Sequence, residues 1–456
     1  MEQDKSKITR GAEARKVALQ LYTIIIEKRT SLSGLTDNSG GAHNYLKLNP
    51  SDRSLVKAIL QTALRHRQQI EHILKDYLKK PLPLGASRLN YLLHISLAQL
   101  LYLRVASFAT INIAVDLAKQ DPRMQRFHKL VNAILRSVVR DITANKLENK
   151  FFKQQLQNLP KWFSDLLVKD YGADKAEAIA KAINKPSALD LTVKTQPKNW
   201  AQKLEATILW GNSIRLNNSC KTNIQKLEGY EEGEWWVQDC ASTIAALFLN
   251  KKEFNNIADL CAAPGGKAAQ LINQGAKVTA FEINPSRYER LRENMARLQM
   301  HAELINTDFQ TYKHHNFFDA VLLDAPCSST GTINKNSDIL WTKGPEDIKS
   351  LSNLQYQMLQ AAAKYVKIGG TIIFSNCSLA KLEGENMIEK LLKQNNNLTL
   401  KKFTIDEDIF SNYPQLQSFI TKEGFLRTSP SDFAKIFPHL PGAMDGFFIA
   451  RLVKST

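Results

Sequence analysis

A chain of 456 residues is longer than one ordinary hydrophobic core sustains, so two or three domains are expected. Its 43% apolar and 23% charged residues fit a soluble globular protein, and the polar start MEQDKSKITRGAEARK lacks the apolar middle of an export signal. The net charge of +17 is uneven, with +13 on residues 1–150 and +4 on residues 151–456. A basic first third reads either as a polyanion-binding footprint, most simply for nucleic acid, or as a solvated surface kept for solubility.

Residues 8–141 carry helical periodicity throughout. GAEARKVALQLYTIIIEKR places Val17, Leu19, Leu21, Ile24 and Ile25 at helical spacing, and SDRSLVKAILQTALRH opens on Ser51 and Asp52 as candidate caps. SRLNYLLHISLAQLLYL is apolar almost all round and is expected at the centre of an all-α bundle over 1–142. Its apolar stretch, broken by His94 and Gln99, is too short to span the ~30 Å of a bilayer, so no membrane association is expected. TINIAVDLAKQ and RFHKLVNAILRSVVRD follow, divided at Asp121-Pro122; Pro81 and Pro83 mark an earlier break. The basic residues of this last region, Arg123, Arg126, Lys129, Arg136 and Arg140, are the candidate RNA contacts.

The polar stretch 143–160 suits a linker. Residues 161–238 then read as a small α+β unit: two short helices split at Gly172, followed by ALDLTVKT, ATILWG, SIRLNN and EGEWWVQD as β-forming clusters. From 239 to 456 strands and helices alternate. NIADLC, AKVTAFEI, AELINTD, FDAVLLDAPC and GGTIIFSNC are the strands, with GFLRTS and DGFFIARL as a late pair. This is the pattern of an α/β Rossmann-like domain with a mostly parallel sheet. The run Asn395–Asn397 carries no information, and internal repeats are absent from the sequence.

In IADLCAAPGGKAAQLI a strand (Ile257 to Leu260) runs into a small-residue loop and a helix, where Gly265 and Gly266 let backbone approach a ligand. The spacing is neither GxGxxG nor GxxxxGK[ST], which argues against a pyrophosphate or triphosphate. Glu282, at the end of the second strand, can accept from a ribose diol. Asp308, at the next strand end, can accept from an adenine amine, and Asp324 is a third strand-end acid. Such a set suits a nucleoside without phosphates, of which S-adenosylmethionine is the obvious one. An ordinary Rossmann turn with incidental acids is the plainer alternative.

Two of the five cysteines, Cys327 and Cys377, follow strands whose ends face that cleft. Cys377 precedes SLAKLEGENMIEKLL, read as a helix whose N-terminus would favour a thiolate. A disulfide fits poorly with the reduced, cytoplasmic setting expected here. Zinc is not expected, because there is no CxxC pair and His314-His315 has no partner spacing. Two readings stay open: packing, the ordinary fate of a lone Cys, and catalysis. One-carbon transfer to C5 of a pyrimidine needs a thiolate on C6 and a base for the C5 proton. Cys220, Cys240 and Cys261 are expected to be structural.

At these residues the chain resembles the RNA (cytosine-C5) methyltransferases. DLCAAPGGK (259–267) and LLDAPCSSTG (322–331) match that family's motifs almost letter for letter; SNCSLA, EGEN and PGAMDGFFIARL (441–452) match well. The resemblance implies an S-adenosylmethionine site of Cys261, Ala262, Ala263, Pro264, Gly265, Gly266 and Lys267 with Glu282, Asp308 and Asp324. It implies Cys377 as the nucleophile on C6, Cys327 as the thiol that helps release product, Asp324 steadying the ring, and Lys267 within the catalytic set. INIAVDLAKQ followed by HKLVNAILR resembles NusB. A NusB-like RNA-binding domain ahead of this core is similar to the B-type family of bacterial small-subunit ribosomal RNA methyltransferases, which implies a 16S RNA substrate; a monomer is expected. Three stretches depart from the pattern: INKNSDILW (333–341) has fewer charges than usual, LEGEN (382–386) replaces Pro-Glu-Glu-Asn, and LTVKT replaces a usual Arg-Val-Asn. A non-catalytic RNA-binding protein, an exocyclic-amine methyltransferase and a DNA substrate are the rival readings. The first leaves the glycine loop and thiols idle, the second needs an aromatic loop that Asp-Ala-Pro-Cys lacks, and only the resemblance weighs against DNA.

Overall fold

The computed structural model describes residues 11–37, 40–83, 85–185, 187–217, 223–250, 253–313 and 317–455. Cys220 and His314-His315 lie outside the described residues. The chain forms two compact units: one runs up to Asn184 and also takes in Asn336–Gly344, and the other holds Lys185–Lys335 and Pro345–Thr456.

The first unit is helical. Its long members are α1 (Ala12–Lys28), α2 (Pro50–Arg65), α3 (Arg67–Tyr77), α4 (Ser87–Leu101), α5 (Ser107–Gln120) and α6 (His128–Thr143), and α7 (Lys161–Tyr171) and α8 (Ala173–Ile183) complete it. α2 starts one residue before the expected caps: Pro50 occupies the first turn and the Asn49 side chain accepts from the Asp52 amide. α4 is the central helix, buried from Tyr91 through Leu100. Its polar residues are accommodated by bonding. Ser96 and Gln99 donate to carbonyls one turn back, at 2.7 and 2.8 Å. His94 lies between the Tyr22 hydroxyl, 3.1 Å from Nδ1, and Glu71 Oε2, 2.8 Å from Nε2. That hydrogen bond, with further help from Asn90, holds the Glu71 carboxyl down at about 2, while burial pushes the His94 ring below its usual range.

The structure corrects three organisational expectations in this unit. α7 and α8 cluster with the bundle, not with the middle strands. The polar stretch before them is tied down: Gln69 bridges the Lys150 carbonyl and the Phe152 amide, and Glu177 accepts from the Gln155 and Leu156 amides. The third concerns Asn336–Gly344, which lies among these helices. Asp338 accepts from the Leu32 amide at 2.9 Å, Trp341 Nε1 donates to the Leu64 carbonyl at 2.7 Å under the Arg67 guanidinium, and Trp162 donates to the Leu340 carbonyl. Its modest charge thus belongs to a packed segment whose half-buried indole lies against a helical core.

The second unit carries two sheets. A four-stranded antiparallel one, ordered β2 (Ala206–Ile208), β3 (Ser213–Leu216), β1 (Asp190–Val193) and β4 (Trp235–Val237), holds a buried Arg215–Asp190 pair at facing register positions, with Nε 2.6 Å from Oδ1. The larger sheet contains β5 (Asn256–Asp259), β6 (Lys277–Phe281), β7 (Glu303–Ile305), β8 (Phe318–Asp324), β9 (Val366–Asn376), β10 (Leu398–Leu400), β11 (Leu426–Arg427) and β12 (Phe448–Lys454). Its order is β10-β12-β9-β8-β5-β6-β7, with β11 on β12. The pairings from β9 across to β7 are parallel, and those of β12 are antiparallel. β10, which follows the uninformative run Asn395–Asn397, is not among the expected strands; β11 and β12 are the expected late pair. The strand order reverses between β8 and β5, which opens a cleft at the carboxyl ends of these strands.

Candidate active site

Five strand ends converge on the cleft. β5 ends in Asp259 and runs into Cys261–Lys267, with a cis bond between Ala263 and Pro264. Gly265 caps the next helix, α9 (Gly266–Asn273), at φ 108°. A Cβ there would meet Leu291 and Met295 at 2.8 Å, so glycine is required twice over. Gly266 is less constrained, since its Cβ would make only ordinary contacts with Gln238 and Trp236.

Glu282 follows β6. Its Oε1 accepts from the Asn284 amide at 3.0 Å, and its buried Oε2 has no hydrogen-bond partner among the described residues, with Arg287 no closer than 3.6 Å. Asp308 follows β7 and holds the Gln310 amide at 2.9 Å. Both acids line a cavity of about 480 Å³ with Cys261, Asp324, Cys327 and Cys377. A second cavity, of about 290 Å³, is lined by Asp259, Lys267, Asp324, Cys377 and the group Asp239, Lys335 and Asp445.

Asp259 was missed as a site residue, although its letter opens the quoted loop motif. It is buried, and neither oxygen has a hydrogen-bond partner of normal geometry among the described residues. Burial, then the nearby Asp324, push its carboxyl up to about 7. Two unpartnered oxygens on a buried acid, with a third on Glu282, call for a ligand that brings donors.

Asp324 ends β8 beside Ser375 of β9. Ser375 donates to its Oδ1 at 2.8 Å, and Lys267 Nζ to its Oδ2 at 2.6 Å. Lys267 also reaches Ser242 at 2.9 Å. Because β8 and β9 are neighbours, the loops that follow them bring the thiols of Cys327 and Cys377 to 3.4 Å. The hydrogen bond to Cys377, then burial, push the Cys327 thiol well above its usual range.

The helix expected straight after Cys377 begins only at α13 (Glu385–Gln394), counting α10 (Pro285–Arg297), α11 (Ile339–Thr342) and α12 (Pro345–Ala362) before it. The intervening amides are used otherwise: Leu379 donates across the site to Thr330 Oγ1, and Ala380 donates locally to Ser378 Oγ. Lys335, the one basic residue of 333–341, is held by Asp239 and lies 3.0 Å from Asp445 Oδ2, whose carboxyl burial pushes up to about 7. Cys240 is buried behind the Arg215–Asp190 pair, a packing position. Cys261 borders both cavities.

In the helical unit, Arg123, Arg126, Lys129, Arg136 and Arg140 are all exposed. Lys129, Arg136 and Arg140 share the face of α6 opposite the buried Val131, Ile134, Leu135 and Val138.

Comparison with known proteins agrees with this architecture. Residues 246–453 match the family model described as 16S rRNA methyltransferase RsmB/F, and residues 12–140 match the NusB family. Ribosomal RNA small subunit methyltransferase B of Proteus mirabilis (strain HI4320) is 31% identical over 83% of this chain and 91% of its own length. The chain belongs to the ribosomal RNA small subunit methyltransferase B family. The protein of that name from Xylella fastidiosa (strain 9a5c) is 30% identical over 88% of this chain and 92% of its own. The solved structure of PH0851 shares the fold, with a TM-score of 0.72 at 22% identity over 97% of this chain and 98% of its own. As a member of this family the chain is an S-adenosylmethionine-dependent RNA methyltransferase. The unpartnered acids at the strand ends suit that cofactor, which carries an ammonium group and a ribose diol.

Proposed function

We propose that the chain methylates C5 of a cytosine in small-subunit (16S) ribosomal RNA through a covalent bond between Cys377 Sγ and C6. The observation that carries this reading is the pair of thiols 3.4 Å apart beside Asp324 and Lys267. Glu282 would accept from the ribose hydroxyls, Asp308 from the adenine amine and Asp259 from the ammonium group, with the Cys261–Lys267 loop around them. The cofactor supplies the electrophilic methyl group that C5 receives. Cys377 adds to C6, and the electron pair of the C5–C6 double bond moves toward C5 and the ring. Asp324, fixed by Lys267 and Ser375, holds the ring's polar edge. Once Cys377 is bonded to carbon, Cys327 no longer shares a hydrogen bond with a free neighbouring sulfur. It then ionises to solvent, takes the C5 proton, and the C6–S electron pair returns to Cys377 as thiolate. RNA reaches the enzyme through the basic face of the helical unit.

A denaturing gel of each cysteine variant with RNA and cofactor tests the assignment. Cys377→Ala should lose all turnover and form no adduct. Cys327→Ala should attack and methylate, then stall as a denaturant-stable protein–RNA adduct that requires S-adenosylmethionine. The reverse pattern would exchange the two roles. Activity in both variants with no adduct would return both residues to packing.

A further inference from the structure

Beneath the two cysteine loops lies a carboxylate with no part in the chemistry above. Glu383 ends a 3-10 turn (Lys381–Glu383), is 0% exposed and lines neither cavity. Its Oε1 accepts from the Ser328 amide and from Gln355 Nε2, each at 2.9 Å. Its Oε2 accepts from the hydroxyls of Ser328 and Ser378. Ser328 directly follows Cys327, and Ser378 directly follows Cys377. The residues before the cysteines belong to the same assembly: Gln355 also donates to the Pro326 carbonyl at 2.9 Å, and Asn376 Nδ2 donates to the Glu383 carbonyl at 2.7 Å. Both neighbours of both cysteines are therefore fastened to Glu383, through its side chain, its main-chain carbonyl or its partner Gln355.

The direction of these bonds matters. Ser328 and Ser378 give their protons to Glu383, and Ser378 Oγ in turn accepts from the Ala380 amide at 3.1 Å. Four donors converge on the carboxylate and none of these bonds runs away from it. Burial pushes its carboxyl up, against those donors. An apolar residue would avoid this desolvation, but it could not accept from two loops at once.

We infer that Glu383 is a positioning residue that sets the distance between the Cys327 and Cys377 sulfurs. It does not touch the reacting atoms. It ties the two loops at the residues next to the thiols, so a proton and a nucleophile are presented to one base from fixed places. The inference rests on the two-cysteine reading, so its test needs a readout that does not depend on catalysis. Oxidation by an azo dicarboxamide supplies one. The two thiols lose two protons and two electrons, an S–S bond forms, and the azo bond is reduced to a hydrazine. The rate reports how often the sulfurs meet.

In the full chain, Glu383→Ala should lower kcat by about a hundredfold and slow disulfide formation at least tenfold. The KM for RNA and the cofactor Kd should stay within about threefold. Glu383→Gln retains the Oε1 acceptor and should recover at least a tenth of the lost kcat. Glu383→Ala with both rates at their original values would overturn the inference. So would a kcat loss matched by equal loss of cofactor affinity, which marks general disorder. Slower oxidation with unchanged kcat would sustain the spacing role and overturn the two-cysteine chemistry. Should Glu383→Ala fail to fold, Ser378→Ala removes one of the four donors to Glu383, together with the acceptor of the Ala380 amide. A several-fold loss in both rates is then expected, and no change in either would refute the role.

Discussion

The two units differ in whether every buried acid oxygen finds a partner: the catalytic unit satisfies Glu383 and Asp190 but leaves other acids open. In the helical unit the half-buried Glu71 is satisfied on the spot, closing a chain that runs from Tyr22 through His94. In the catalytic unit three buried acids keep oxygens without a partner: both of Asp259, Oε2 of Glu282 and Oδ1 of Asp445. Among the described residues, no carboxylate of the helical unit does so. Satisfied groups make a core rigid, whereas unpartnered ones raise the free energy of the empty site and lower it again when a ligand brings donors. The contrast separates an element built to hold its shape from one built to be filled.

That contrast can be broken most directly at Glu282. Glu282→Ala should weaken S-adenosylmethionine binding by roughly ten- to a hundredfold, from ~1.5–3 kcal/mol for a charge-assisted hydrogen-bonding partner, and leave thermal stability nearly unchanged. Calorimetry on the full chain, with affinity preserved, would remove Glu282 from the cofactor site. His94→Leu is the converse. It strands the Tyr22 hydroxyl and should cost ~1–3 kcal/mol of stability with cofactor affinity intact. Stability carried by this group should also fall on acidification. His94 is held below its usual range, so the unfolded chain takes up the proton first as pH drops through the ordinary histidine range. Glu71, held at about 2, adds a loss from the ordinary carboxylate range downward. Denaturant melts between pH 7 and 3 would show this loss, which should be smaller in His94→Leu.

A smaller effect belongs to Asp259, poised at about 7. Its carboxylate is the form that takes an ammonium group, so cofactor affinity should rise several-fold from pH 6 to pH 8, with proton release on binding. Asp259→Asn should flatten that profile, and a pH response equal to the original enzyme's would place the ammonium elsewhere. The smallest change is expected from Arg136→Ala. RNA affinity should fall uniformly across sequences and the salt slope should drop by about 1. An unaltered slope would leave the basic face as solvated surface.

Much of this was legible in the sequence. The helices over 11–141 follow from apolar spacing, and the strand ends bearing Glu282, Asp308, Asp324 and the cysteines follow from short apolar runs closed by loop residues. What stayed hidden depends on partners distant in sequence. Glu383 is one glutamate among several until Ser328 and Gln355 meet it. Asp259 resembles any strand-end acid until its oxygens prove unpartnered. β10 is three residues long and follows an asparagine run, so it is a strand only because β12 pairs with it. The stretch after Cys377 has the letters of a helix, but its Leu379 amide is used across the site first.

The nine residues from Asn336 to Gly344, lodged in the helical unit, carry a consequence for biosynthesis. The ribosome completes the rest of that unit at Asn184, yet the indole of Trp341 emerges only some 160 residues later. At about 5–20 residues per second this is a wait of roughly 8–30 s. During it the nascent bundle lacks the indole that packs against its core, and the Leu32 amide lacks the Asp338 carboxylate. The helical unit therefore reaches its final form only after Cys327 has been made, and its maturation keeps time with that of the catalytic loop.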